Sequence, residues 1–209
     1  YDRRLKDVTV IARFDDTMRW YYDILSEIKP DEILLTREDY ETVCAIYMSL
    51  TTHKYTKHFF EPREDIIRLN HVEVYYNYLG VACKSEIDQL DVNLRNNTVK
   101  PIDYKTLGFP TRFFPRQCRE RRYDIQGASY TYGLSQAVKG VAETNLTLDL
   151  EGFTVLPFEF IVETTVKKKI GKSPLVYRMS PNTVSYTHLR AHETVLDLVC
   201  RLLLEKKKE

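Results

Sequence analysis

No apolar run in this 209-residue chain approaches the ~18 residues that a membrane-spanning helix needs. The charged opening Asp2-Arg3-Arg4 is not followed by an apolar stretch long enough for a secretory signal. Neither sign of charge dominates: 31 basic residues against 30 acidic ones leave +1. A basic whole-domain balance, the usual footprint of a nucleic-acid binder, is therefore missing, and any such footprint must be local. Cysteine is sparse, with Cys44, Cys83, Cys118 and Cys200 far apart and no CxxC pair. That excludes a zinc pattern and a small disulfide framework, and reads as free thiols in a reducing cytoplasm. No internal repeat or low-complexity segment appears. What is present, 43% apolar and 29% charged residues, is ordinary for a soluble globular protein. The length suits one domain that can bury roughly 70% of its unfolded surface.

Composition shifts after Thr183. Val184–Lys208 has the outline of an amphipathic helix with a basic end, yet it resembles translated sequencing adapter. VSYTHLRAHET matches one frame of a transposase-type adapter, and LVCRLLLEKKK a flow-cell primer read into a run of A. On that reading His188, His192, Glu193, Asp197 and Cys200 are set aside as site candidates, and residues 1–183 carry 26 charges of each sign. With Tyr1 in place of a start methionine, the chain is expected to be truncated at both ends. The expected organisation is a partial N-terminal region (1–34), a core (35–183) and a non-native tail (184–209).

Val8–Ala12 is a short apolar run. Trp20-Tyr21-Tyr22 with Ile24-Leu25 predicts a helix that Pro30 ends. Thr36, with Asp39 three residues on, reads as the N-cap of the next helix. Its stripe of Tyr40, Val43, Cys44, Tyr47 and Leu50 reads as core, and the helix should fade near Thr51-Thr52. Alternation over His71–Leu79, a break at Gly80, alternation over Val81–Val92, a turn at Arg95-Asn96-Asn97 and the apolar Val99–Tyr104 predict a three-strand meander. A Pro-, Phe- and Arg-rich loop (109–122) then precedes a helical window from Tyr123 to about Glu143. Phe153–Thr165 reads as a further strand, with Val176–Met179 as its partner. This order fits an α/β fold with a mixed central sheet flanked by helices.

Facing residues of an antiparallel hairpin keep a constant index sum. A turn centred on Arg95-Asn96 sets Asp88 opposite Asp103, and one centred on Leu79-Gly80 sets Glu73 opposite Glu86. With side chains alternating at period 2, Glu73, Glu86, Asp88, Asp103 and Lys105 should share one sheet face. Clustered carboxylates disfavour one another's ionisation, so such a set calls for a cation. Oxygen ligands of this kind suit Mg²⁺ or Mn²⁺.

Ile87-Asp88, Ile102-Asp103-Tyr104-Lys105 and Tyr123-Asp124-Ile125-Gln126-Gly127-Ala128-Ser129-Tyr130 together resemble the PD-(D/E)XK nuclease superfamily, closest to RecB-type nuclease domains and RecE-type phage exonucleases. The resemblance spans roughly Leu35–Met179 and implies a restriction-endonuclease-like single domain. It implies that Glu73, Asp88, Asp103 and the Tyr104 carbonyl ligate the metal, and that Lys105 contacts the scissile phosphate and the attacking water. Gln126 and Tyr130 would orient the lysine and the substrate backbone, with Tyr123 on the same helix face. The family's proline before the first aspartate is Ile87 here.

Arg116, Arg119, Arg121 and Arg122, just after Phe113 and Phe114, are candidate phosphate contacts. The implied activity is Mg²⁺- or Mn²⁺-dependent DNA hydrolysis by an exonuclease of phage or bacterial recombination and repair. The implied setting is the cytoplasm of a bacterial host, with DNA as substrate, a homo-oligomeric parent and a single-strand annealing protein as partner. A CRISPR-adaptation or helicase-associated nuclease shares the motifs but often adds a four-cysteine iron–sulfur cluster, which the cysteines here do not supply. A nuclease-fold module that binds DNA or assembles without cutting is the reading from another class.

Overall fold

The structure, a computed structural model, describes residues 23–29 and 33–180. Two compact units divide the chain, Tyr1–Val43 and Cys44–Glu209. The expectations for Val8–Ala12, for Trp20-Tyr21-Tyr22 and for the tail at 184–209 lie outside the described residues. In the first unit residues 23–27 are helical, and helix α1 (Arg37–Thr52) begins. Thr36 caps α1 as expected: its Oγ1 accepts from the Asp39 N–H at 3.1 Å and donates to Asp39 Oδ2 at 2.7 Å. The expected core stripe is buried only at Leu50, with Cys44 half-buried. Tyr40, Val43 and Tyr47 are exposed, whereas Ser49 and Leu50 are buried and Ile46 packs beside them. The helix has turned because the sheet offers a polar partner on that side: the Ser49 hydroxyl donates to the buried Glu163 carboxylate.

The second unit carries a seven-stranded sheet. Its strands are β1 (Ile66–Tyr78), β2 (Val81–Asn93), β3 (Thr98–Leu107), β4 (Glu143–Thr144), β5 (Thr154–Val155), β6 (Glu159–Thr164) and β7 (Leu175–Arg178). They run in the order β4-β1-β2-β3-β6-β7, with β5 beside β3. The meander is antiparallel, while β6 joins β3 in parallel. That parallel step needs a crossover, which helices α2 (Phe114–Glu120) and α3 (Tyr123–Ala137) supply. Thus 109–122 is not all loop, since Pro115 sits in the first turn of α2, where its missing N–H is harmless. Helix α3 stops well short of Glu143, because Gly140 takes a φ of +70° and the chain turns back, with the Gly140 N–H donating to the Ala137 carbonyl. The expected strand over 153–165 is split into β5 and β6 around Pro157.

The expected register holds. Glu73 faces Glu86, and Gln89 faces Ile102, on the index sums that set Glu73 against Glu86 and Asp88 against Asp103. Face alternation, however, breaks in the middle of the ladder. Leu69 and Val72 on β1, and Ile87 and Leu90 on β2, all belong to the one core under α3, although each pair is three residues apart. His71 supplies the reversal on β1 with a φ of +52°, and Asn145 steadies it by donating to the His71 carbonyl at 3.1 Å and accepting from the Glu73 N–H at 2.9 Å. Because both strands reverse together, pairing is unchanged while the two halves of the meander show opposite parities.

Three clusters fill the two sides of the sheet. Under α3, Val72, Val74, Ile87, Leu90, Val92 and Val99 meet Leu134 and Ala137. Beside it Phe114, Phe158, Phe160 and Val162 pack with Leu107 and Met179. On the opposite face Leu50, Phe59, Ile102 and Ile161 form the third. Each buried Phe or Ile contributes roughly 1.5–3 kcal/mol. Helix α3 comes close to the sheet because Gly127 and Gly133 lack side chains: a Cβ at Gly133 would lie 2.6 Å from the Tyr76 ring.

Candidate active site

The close approach of α3 carries Gln126 onto β3. Gln126 Nε2 donates to Asp103 Oδ1 at 2.8 Å and to the Tyr130 hydroxyl at 3.2 Å. Tyr130 in turn packs edge-on against Phe158, with centroids 6.0 Å apart. Asp103, only 1% exposed, holds the Lys105 ammonium against its Oδ2. The ammonium also lies 4.9 Å from the Tyr123 ring centroid and 5.9 Å from that of Phe160. Phe114 stacks behind Tyr123 at 6.0 Å. Lys105 is thus held between a carboxylate and an aromatic floor, geometry that suits a cation.

Asp88 reaches the same place from β2, its Oδ2 accepting from the Tyr104 N–H at 2.8 Å. It has the parity of Leu90 and Val92, which lie under α3, so the reversal falls between Ile87 and Asp88. Burial pushes the Asp103 carboxyl up to about 6; Lys105 opposes that shift and the neighbouring Asp88 charge adds to it. Asp103 Oδ2 has the Lys105 ammonium as its one polar partner among the described residues, which leaves lone-pair capacity on that oxygen. A buried oxygen left in that condition is an acceptor with coordinating capacity to spare.

Asp88, Asp103, Lys105, Gln126, Tyr130 and Tyr123 therefore come together. Glu73 and Glu86 do not. Val72 and Ile87 occupy the α3 core, so their neighbours Glu73 and Glu86 leave by the other face. Glu73 is committed to Lys84 Nζ at 2.6 Å and to the Tyr75 hydroxyl, which hold its carboxyl below the usual range. Glu86 stands 3.4 Å from His71 Nδ1. The expected one-face quintet, with Glu73 as a metal ligand, is corrected on this geometry. Among the described residues no group of three or more His, Cys, Asp or Glu side chains is gathered as a metal site. The arginines also stay apart from the carboxylates: Arg116 and Arg119 are exposed on α2, and Arg121 and Arg122 sit in the turn after it, where Arg122 lies 3.6 Å from Asp124.

Sequence reasoning missed the polar network on the opposite face. The Tyr104 hydroxyl donates to Gln89 Oε1 at 2.6 Å, Gln89 Nε2 donates to Asp91 Oδ1 at 2.6 Å, and Arg68 Nε lies 3.5 Å from Asp91. Buried Glu159 pairs with Arg178 and Lys100. A tyrosine directly between two site residues was the one available signal, since period 2 sends it to the other face.

No family model matches the chain, and no curated protein matches it. Among solved structures it is similar to a protein from Eubacterium rectale named "Putative exonuclease", at a TM-score of 0.53 and 15% identity. The likeness covers 88% of this chain and 61% of that one. It shows a shared fold, a mixed α/β architecture with a central, mostly antiparallel sheet flanked by helices. Among the described residues no helix is long and apolar enough to cross a membrane.

Proposed function

We propose that this chain is the core of a metal-dependent deoxyribonuclease, with Asp88, Asp103 and the Tyr104 carbonyl as ligands of Mg²⁺ or Mn²⁺. The observation that carries the reading is Asp103: a buried carboxylate with one oxygen oriented by Gln126, the other against the Lys105 ammonium, and a second carboxylate, Asp88, as its neighbour. That donor set, hard oxygens with an uncommitted lone pair, fits a divalent cation. Bound there, the ion supplies an activated water and charge neutralisation at the phosphate. Lys105, positioned by the Tyr123 and Phe160 rings, adds a point charge on the phosphate oxygens. Gln126 fixes the rotation of the Asp103 carboxylate, and Tyr130 fixes Gln126. Glu73 has no part in this assignment.

The motif resemblance extends the proposal to an exonuclease resecting DNA ends in phage or bacterial recombination and repair. It adds a cytoplasmic, homo-oligomeric parent that works beside a single-strand annealing protein. The chain covers 61% of the Eubacterium rectale protein's length, so the intact activity is a proposal about a longer protein as well. The test incubates a linear duplex with Mg²⁺ and compares the chain, and its uninterrupted parent, with their Lys105→Ala variants. Degradation lost with the lysine is the expected result. Equal, negligible degradation by both would replace this reading with a DNA-binding or assembly module.

A further inference from the structure

Beyond Lys105 the chain leaves β3 and reaches Phe109, whose Cα lies no more than about 14 Å from that of Lys105 by chain length alone. There a cavity of about 340 Å³ opens, lined by Phe109, Phe113, Arg116, Gln117 and Glu120. That volume lies in the range of small-ligand clefts, about 300–1,000 Å³. Two consecutive phenylalanines divide the work around it. Phe114 is buried and backs the Tyr123 ring that carries the Lys105 ammonium. Phe113, the next residue outward, is 44% exposed and stands at 70° to Phe109 with centroids 6.3 Å apart. The two rings make a corner of apolar surface, rimmed by charge, on an otherwise polar stretch of chain.

The rim is suited to a nucleotide. The Arg112 guanidinium lies 4.8 Å from the Phe113 centroid and has no acidic partner among the described residues. Arg116, in the lining, is held by Glu120 at 2.6 Å, while Arg112 stands beside the cavity on the Phe113 ring rather than in its lining. The half-buried Gln117 amide has no hydrogen-bond partner among the described residues, and it offers a donor and an acceptor to the cavity it lines.

We infer that this cavity seats an unpaired terminal nucleotide of a DNA strand, its base on Phe113 and its backbone leading to the phosphate at Asp103 and Lys105. The inference rests on the nuclease reading and adds to it the form of the substrate: an end with a single-stranded base. Stacking on an exposed ring tolerates any base, because every base has a π-face. Gln117 then contacts a base edge without imposing sequence.

The test measures binding in EDTA, where nothing is cut, to a duplex with a short single-stranded overhang whose terminal base is 2-aminopurine. A blunt duplex is the reference. The full chain should quench the 2-aminopurine and bind the overhang about tenfold more tightly than Phe113→Ala does. The same substitution should leave blunt-duplex binding unchanged, and Phe113→Trp should restore both quenching and affinity. An unchanged melting temperature, expected for so exposed a side chain, confirms that Phe113→Ala is folded. If Phe113→Ala quenches and binds like the unsubstituted chain, the subsite is overturned, while Lys105-dependent cleavage in Mg²⁺ still upholds the nuclease. Absence of DNA binding by every protein would overturn both.

Discussion

Asp103 and Tyr104 are consecutive on β3 and serve opposite faces of one sheet, and the two networks they enter differ in the charges they gather. On the Tyr104 side, hydroxyl, amide and carboxylate hand hydrogen bonds from Tyr104 to Gln89 to Asp91, with Arg68 at 3.5 Å supplying the countercharge. That countercharge is not an aligned hydrogen bond, since the buried Arg68 Nε, like Asp103 Oδ2, has no hydrogen-bond partner among the described residues. On the Asp103 side the carboxylate is as deeply buried, with Gln126 on one oxygen, the Lys105 ammonium against the other and the Asp88 carboxylate as a neighbour. Burial raises the pKa of both the Asp91 and the Asp103 carboxyl, so that shift alone does not tell the two apart. Their company does: Asp91 meets an amide and a guanidinium, whereas Asp103 has a second carboxylate, Asp88, beside its amide and ammonium. A lone carboxylate among neutral and cationic partners holds a structure, whereas two carboxylates gathered at one buried spot can accept a cation.

The sharpest way to break this contrast is to neutralise each face in turn. Asp103→Asn keeps an acceptor for Gln126 but loses the charge, and should lower Mg²⁺-dependent cleavage of a linear duplex at least about 100-fold, on the scale of lost electrostatic stabilisation. Tyr104→Phe, one residue away, should leave the cleavage rate within about twofold, because its hydroxyl serves only the other face. Comparable losses from both would mean that the two networks act as one site.

Next in size is a pH effect in EDTA. The Asp103 carboxyl titrates at about 6 in the folded chain, against about 3.9 unfolded. In that window the folded state binds more protons than the unfolded one, so stability falls as pH rises. The contribution of Asp103 is full below about pH 4 and gone above about pH 6, a difference on the order of 2–3 kcal/mol at ~1.4 kcal/mol per unit. Urea melts at pH 4.5 and 7 should show it, and the difference should shrink in Asp103→Asn. A slope unaltered by that substitution would assign the titration to Asp91.

Tyr104→Phe should itself cost about 1–2 kcal/mol in urea melts, since it strands the buried Gln89 oxygen. The smallest effect is expected from Glu73→Gln. Its carboxylate is turned toward Lys84 and Tyr75, so cleavage should change by less than about twofold, well below the loss of a phosphate or metal contact. A loss matching that of Asp103→Asn would return Glu73 to the metal site and discredit the face reversal at His71.

Much of this was legible in the linear order of residues. The meander, its two turns, the Thr36 cap and the register of Glu73 on Glu86 follow from local turn chemistry and alternation. So does the face of α3 that presents Gln126 and Tyr130, because helical spacing fixes it. The reversal was faintly visible in Leu69 and Val72, and in Ile87 and Leu90, each three apart where a uniform strand predicts two. Period 2 was applied across that seam, and Glu73 was carried to the wrong side. The stripe of α1 held at Leu50 but not at Tyr40, Val43 and Tyr47, which are exposed, while the neighbouring Ser49 is buried with its hydroxyl on Glu163.

The order of residues by itself determined the elements, the strand pairing and the identity of the acids, amine and amide that meet, since each depends on contacts near in sequence or on a fixed repeat. Tertiary structure alone decided which acids share a face, which oxygen meets the ammonium and which ring lies under Lys105. These depend on a backbone reversal stabilised by Asn145, from a distant strand end, and on Phe160, delivered by a parallel crossover. Neither has a local signature, because the energy that fixes them comes from surfaces brought together only when the sheet closes.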